Sequence, residues 1–224
     1  MEVNIKNVSK SFGKKVVLRD VSLKASSGQC IGILGENGSG KSTLFNVMTG
    51  LQKGNGVFLC DDVDLITDTK SRNKYVGFVP QNPPLLEELS AKDNLSLWYS
   101  KDQLKQELES GNLKMLGVDE FYKVTVRKMS GGMKKRLYIG CCVANSPKVL
   151  LLDEPTSALD IVCKERIYNY LEEYKKNGGI IILATHDIYE LQICDYIYVL
   201  KNGELHLYEG ERNLNNLMDC LKND

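Results

Sequence analysis

Gly35-Glu36-Asn37-Gly38-Ser39-Gly40-Lys41-Ser42 has the pattern G-x-x-x-x-G-K-S, and its two flanks decide the fold. Before it, residues Cys30 to Leu34 form a short apolar strand. After it, Leu44, Val47, Met48 and Leu51 recur at i, i+3, i+4 and i+7, the spacing of an amphipathic helix. A strand, a glycine-rich turn and a helix in that order make a loop whose backbone N–H groups curl inward toward phosphate. The helix N-terminus adds partial positive charge. Lys41 is then placed to reach the β- and γ-phosphates of a nucleotide, and Ser42 to hold magnesium. A chance glycine-rich turn would lack the correct element on one side or the other.

Two further strings carry chemistry. Val149-Leu150-Leu151-Leu152-Asp153-Glu154 is an apolar strand ending in two carboxylates. Asp153 is expected at the strand's C-terminal end beside the phosphate loop, binding magnesium through water, with Glu154 polarising an attacking water. Taken alone, the string also fits a loop that starts after a core strand; the phosphate loop tips the balance toward chemistry. Met129-Ser130-Gly131-Gly132-Met133 precedes a helix that starts Lys134-Lys135-Arg136. Ser130 is a good N-cap, and the glycines expose backbone N–H groups to an anion. On these five residues alone, an ordinary capped helix with a solvated basic face is the better fit.

Around these strings the chain alternates strands and helices. Val3 and Ile5, then Val21 and Leu23, mark early strands separated by a Gly13-Lys14-Lys15 turn. Strands are also expected at 57–60 and 75–79. From 83 to 145 strand signals give way to helical segments around 95–99, 104–108 and 113–116, and after Ser130, where Leu137, Gly140, Cys141 and Ala144 share one face. After Pro147 the alternation returns. A strand at 149–153 is followed by a helix marked by Ile167, Tyr170, Leu171 and Tyr174 and stopped by Gly178-Gly179. Strands at 180–184 and 196–200 come next, and Leu214, Leu217, Met218 and Leu221 mark a small amphipathic helix. The fold expected is α/β, a core interrupted by a helical insertion. Strands 149–153 and 180–184 are apolar throughout, which suits central parallel strands covered on both faces.

Composition excludes several classes. Of 224 residues, 42% are hydrophobic and 26% charged, an ordinary globular balance. Lys plus Arg and Asp plus Glu number 29 each, so the basic excess of a nucleic-acid binder is missing. No apolar run approaches the roughly 18 residues of a spanning helix, and the start MEVNIKNVSK has no signal-peptide core. The cysteines at 30, 60, 141, 142, 163, 194 and 220 form no CxxC pair, and His186 and His206 are the only histidines, so a structural zinc site is not expected. The cysteines read as reduced packing residues.

Taken together, GENGSGKS, LLLDEP and MSGGM, in that order and spacing, make the sequence resemble the ATP-binding subunit of ABC transporters over nearly its whole length. The resemblance implies a P-loop NTPase core with a parallel central sheet, an N-terminal antiparallel β subdomain and an inserted α-helical subdomain. One ATPase domain then spans 1–224, with 1–82 and 146–224 as core and 83–145 as the helical part. It also implies ATP and Mg2+ as cofactors. Gly35, Asn37, Gly38, Ser39, Gly40, Lys41, Ser42 and Thr43 would bind the phosphates, Phe12 in KSFG would stack on adenine, and Ser42, Gln81 and Asp153 would serve the metal. Gln81 in FVPQN resembles the glutamine that senses the γ-phosphate, and His186 after IIILAT resembles the switch histidine that hydrogen-bonds it. With Glu154 and Lys41 they make the implied catalytic set. Ser157-Ala158-Leu159-Asp160 resembles the loop that crosses to a partner subunit.

In the resembled family two subunits, alike or different, sandwich two ATP molecules. Ser130 and Gly132 would touch the γ-phosphate of the partner's nucleotide. An integral membrane permease is the other implied partner, with no nucleic acid, and the implied location is cytoplasmic and peripheral on the inner face of the cell membrane. In the stretch Asn82 to Leu89, with two prolines and three leucines, residues around 83–90 are expected to help form the docking surface for that permease and to be coupled by Gln81 to hydrolysis; packing of these leucines inside the protein is the alternative.

The usual family string LSGGQ reads MSGGM here. Met129 conserves volume, whereas Met133 removes an amide. SGGMKKRL resembles the pattern in ATPases that drive drug, antibiotic or polysaccharide export. A soluble ABC ATPase acting on ribosomes or DNA is the alternative, but such proteins carry tandem ATPase domains, a coiled-coil insertion or basic extensions, and none is read here. A GTPase would need an NKxD base reader, and Asn73-Lys74-Tyr75-Val76 lacks the Asp. Intact Lys41, Asp153, Glu154 and His186 argue against a non-hydrolysing regulatory module.

Overall fold

Glu2–Phe12 (β1) and Lys15–Ser26 (β2) form an antiparallel hairpin in a computed structural model that describes residues 1–222. Cys30–Leu34 (β3) follows, buried at every position, and runs through the glycine-rich loop into Lys41–Met48 (α1). The chain then returns to β1 with Asn55–Cys60 (β4) and Val63–Asp64 (β5), giving an antiparallel sheet of order β2-β1-β4-β5.

A short polar helix, Thr69–Tyr75 (α2), leads into Val76–Val79 (β6). Tyr75 therefore ends a helix and does not open the strand expected at 75–79. None of the α2 residues is buried, so it shows no apolar periodicity; it is held by an Asp68 cap on the Ser71 N–H. The helical segment follows as Ala91–Leu95 (α3), Lys101–Ser110 (α4), Asn112–Met115 (α5) and Gly131–Cys142 (α6). Capping boxes start α3 at Ser90 and α4 at Ser100. The helix expected around 95–99 lies earlier, because the Ser90 box sets its start, and Leu95 ends it.

Val149–Asp153 (β7), Ile161–Lys176 (α7), Ile180–Thr185 (β8), Tyr196–Lys201 (β9), Glu204–Leu207 (β10) and Leu214–Lys222 (α8) complete the chain. The main sheet has the order β10-β9-β3-β8-β7-β6. Strands β9, β3, β8, β7 and β6 run parallel. β10 pairs antiparallel with β9, so the sheet is mixed at this edge. Its hairpin turn is Asn202-Gly203, both with positive φ, the two-residue turn that matches strand twist. In α8, Leu217 is buried while Met218 is exposed; the side chain of Leu214 lies outside the described ones.

Because alternate residues of a strand face opposite sides, the parallel sheet divides the interior into two cores. Ile31, Ile33, Val149, Leu151, Ile180 and Ile182 face α1 and the antiparallel sheet. Leu34, Leu150, Leu152, Ile181 and Leu183 face α7 and the helical segment, where they pack with Leu95, Leu137 and Tyr170. All seven cysteines are free, and most are buried in these cores. Among the described residues no helix is long and apolar enough to cross a membrane.

Candidate active site

Parallel strands end on one edge of a sheet, and loops leaving that edge meet. Leu34 pairs with Thr185, Asp153 with Ala184, and Val79 with Leu152. Gly35, Gln81, Glu154 and His186 therefore leave β3, β6, β7 and β8 at nearly one level. That shared register brings together residues distant in sequence.

Gly35 starts the phosphate loop and is fixed by its N–H to the Thr185 carbonyl at 3.2 Å. A Cβ at this position would sit 2.5 Å from Ser39 Oγ and 2.8 Å from the Leu200 carbonyl, so only glycine fits. Gly40, at φ 112, turns the chain into α1. Lys41 is 5% exposed and folds back into the loop; its Nζ donates to the Gly35 carbonyl at 2.6 Å and the Glu36 carbonyl at 3.0 Å. Burial lowers its pKa, and the charges of Glu154 and Asp153 oppose that shift. Asn37, Gly38, Gly40, Lys41, Ser42 and Thr43 line a cavity of about 360 Å³ whose lining Gln81 and Glu154 complete. The buried Ser39 hydroxyl beside it has no hydrogen-bond partner in the protein. A buried orphan hydroxyl costs free energy, and a phosphate oxygen would satisfy it.

The Glu154 carboxylate, 7% exposed, is gripped at both oxygens. Gln81 Nε2 donates to Oε2 at 2.8 Å, and His186 Nδ1 donates to Oε1 at 2.7 Å. His186 Nε2 is thus the ring nitrogen that Glu154 does not engage. Asp153 beside it is 4% exposed; burial raises its pKa, and a hydrogen bond from the Ser42 hydroxyl works against that rise.

The Ser42 hydroxyl, the Asp153 carboxylate and the Gln81 amide oxygen make a hard, all-oxygen donor set of the kind magnesium accepts. Among the described residues no three His, Cys, Asp or Glu side chains cluster to cage a metal. Few protein ligands suit an ion that keeps several waters and binds substrate phosphate.

Four expected residues, Ser130, Gly132, Phe12 and Asp160, do not line this cavity. Ser130 is exposed at the N-terminus of α6, its Oγ accepting the Met133 N–H at 3.2 Å, and Gly132 follows it in the first turn. Met133 packs against the helical core. Phe12 stands at the β1–β2 hairpin tip, 49% exposed, with Lys10 Nζ 4.7 Å from its ring centroid. Asp160 caps α7 through the Cys163 N–H at 2.9 Å. His206 is paired with Glu204 on β10, away from the site.

Two supporting groups escaped the sequence reading. Glu190 is fully buried and accepts from both the backbone N–H and the hydroxyl of Thr156, two residues after Glu154. Lys135 is also buried, and its ammonium binds the turn that carries Gln81. Sequence offered no signal for either, since a lone Glu and a Lys within the basic run Lys134-Lys135-Arg136 both read as solvated.

Fold and loop define the class: a P-loop nucleotide triphosphatase. The family model described as ABC transporter matches residues 18–157. Among known proteins, the lantibiotic transport ATP-binding protein SrtF of Streptococcus pyogenes is 31% identical, with 97% of this chain and 96% of that protein covered. The methionine import ATP-binding protein MetN of Clostridioides difficile (strain 630) is 37% identical, with 91% of this chain and 67% of that protein covered. The ATP-binding cassette MJ0796, solved as a dimer in a post-hydrolysis state bound to ADP and Pi, superposes with a TM-score of 0.81 at 31% identity, covering 93% of this chain and 100% of that one. The chain belongs to the ABC transporter family and is its ATP-binding component.

Proposed function

We propose that this chain is a magnesium-dependent ATPase that dimerises around ATP and drives a separate membrane subunit, with Glu154 as the base that activates water. The observation that carries this reading is the Glu154 carboxylate, held at both oxygens by Gln81 and His186 at the edge of the Lys41 loop. Two hydrogen bonds fix its orientation, and orientation is what a general base needs. Lys41 and the loop N–H groups hold the β- and γ-phosphates. Ser42 and Asp153 would hold magnesium, which when bound would supply positive charge to offset that of the transferred phosphoryl group. His186 presents its second nitrogen to the γ-phosphate.

Ser130 and Gly132 lie outside the cavity, which supports a site completed by the signature of a second subunit. Phe12, exposed at its hairpin tip, is offered to adenine. Export is the direction supported by SGGMKKRL; the relatives include a methionine import protein as well as a lantibiotic transport protein. For the membrane subunit, Leu86, Leu97 and Trp98 provide an exposed apolar surface, 50%, 63% and 54% accessible.

Glu154→Gln tests the catalytic reading. The amide keeps the side chain's size and leaves the phosphate loop intact, but it cannot take a proton. ATP binding should persist while turnover falls by about 10²–10⁴. Turnover within about three-fold of the parent rules out Glu154 as the base.

A further inference from the structure

Lys135 takes no part in the chemistry above, and its surroundings are unusual for a lysine. It lies on α6, the helix that Ser130 caps, with 5% exposure. Its neighbour Lys134 reaches the surface and pairs with Glu87. Lys135 turns inward instead, and its Nζ donates to the Pro80 carbonyl at 3.0 Å and the Gln81 carbonyl at 2.9 Å. These carbonyls belong to the turn that follows β6. From that turn the Gln81 side chain reaches Glu154 at 2.8 Å. One hydrogen-bonded line therefore runs from the signature helix to the carboxylate that activates water.

A buried ammonium is costly unless it is paired. Here burial lowers the Lys135 pKa to about 8, and Asp153, Glu190 and Glu154 attract its charge. The neighbouring Arg136 is as buried as Lys135, but its Nη1 donates to the Leu116 carbonyl at 2.9 Å and its guanidinium lies 4.9 Å from the Phe121 ring centroid. Arg136 thus holds the helical segment together without touching the Gln81 turn, which makes it a control on the same helix.

We propose that Lys135 is a positioning residue that fixes the turn at Pro80 and Gln81, so that the Gln81 amide meets Glu154 only while α6 is seated against that turn. The proposal rests on Glu154 being the base. It makes hydrolysis sensitive to where the helical segment stands, and Ser130 lies on that segment.

The test uses the purified full-length chain, with kcat and KM measured for ATP with magnesium and folding followed by thermal unfolding. Lys135→Met should lower kcat by at least about ten-fold while KM stays within about two-fold. Lys135→Arg, which keeps charged donors, should recover kcat to within about three-fold of the parent. In a double-mutant cycle, Lys135→Met with Gln81→Ala should lose no more than Gln81→Ala alone, because both break the same line. Arg136→Met should lower the unfolding temperature without the kcat-against-KM split. A Lys135→Met kcat within about two-fold of the parent overturns the proposal, and so does a double mutant whose loss is the product of the two singles. Should Lys135→Met fail to fold, Lys135→Ala, which likewise removes every donor to the Pro80 and Gln81 carbonyls, is judged by the same criteria. Normal turnover in Glu154→Gln would sink the base assignment itself. Impaired Glu154→Gln together with normal Lys135→Met would sink only the role of Lys135.

Discussion

Glu154 and Ala158 have left-handed backbones, at φ 47 and φ 58, within one short loop. Such conformations cost a non-glycine residue roughly 1–3 kcal/mol and persist where surrounding bonds over-determine them. For Glu154 those bonds are visible: its N–H donates to the Ala184 carbonyl at 2.8 Å, and its carboxylate is held by Gln81 and His186. The strain turns the side chain away from strand continuation and toward the phosphate loop. Glu190 supports the same loop from behind by accepting the Thr156 N–H at 2.8 Å. Ala158 is exposed, so its strain can be relieved without opening a cavity. Ala158→Gly should raise stability by up to about 1 kcal/mol, read as a higher denaturant midpoint. A lower midpoint would show that the glycine's extra unfolded-state freedom outweighs any strain relieved at this position.

At the scale of elements, α6 has two duties at one end. Ser130 caps the helix, and the same exposed terminus is the proposed contact for a partner's nucleotide. Ser130→Asp separates the duties. Aspartate caps as well as serine does, so thermal stability should stay within about 0.5 kcal/mol of the parent. Its charge would repel phosphate, so ATP-driven dimerisation in gel filtration and turnover should both be lost. Retained turnover would leave Ser130 as a helix cap alone. The strands and loops that carry Lys41, Asp153, Glu154 and His186 were legible in the sequence, because buried parallel strands are continuous apolar runs and the phosphate loop has a fixed glycine pattern. α2 was not legible, since a helix with no buried residue has no periodicity to read. β10 was missed although Asn202-Gly203 announced its turn; polar Glu204 and His206 on an exposed edge hid the strand. Lys135 and Arg136 looked like a solvated basic face, and only the folded chain shows which carbonyls draw them inside.

At the scale of the whole molecule, the proposed function asks the helical segment to pass information between the nucleotide and a membrane subunit. The sequence suggested the leucines of 82–89 as a docking surface. The structure divides them: Leu85 packs against the core and Leu89 is half-buried, whereas Leu86 is exposed. Asn94 holds the Leu86 backbone in place, accepting its N–H at 3.0 Å and donating to its carbonyl at 3.2 Å. Leu97 and Trp98, in the turn after α3, add two more exposed apolar side chains a few residues from Asn94. Of these three, Trp98 borders a groove of about 410 Å³, lined also by Tyr138, Cys142, Phe78 of β6 and Lys74. Scattered exposed leucines need no explanation, but apolar side chains next to a groove mark an interaction site. Aromatic anchors such as tryptophan carry a large share of binding energy in such surfaces. Trp98→Asp and Leu86→Asp should therefore leave the isolated chain folded, with ATP affinity within about two-fold of the parent. Each should weaken co-purification with the membrane subunit, and the double variant should weaken it further. Losing a central tryptophan costs about 2 kcal/mol or more of binding, enough to reduce recovery of the complex well over ten-fold under dilute conditions. Undiminished recovery of the complex by the double variant would mean that the membrane subunit docks elsewhere and that the turn after α3 is merely apolar surface.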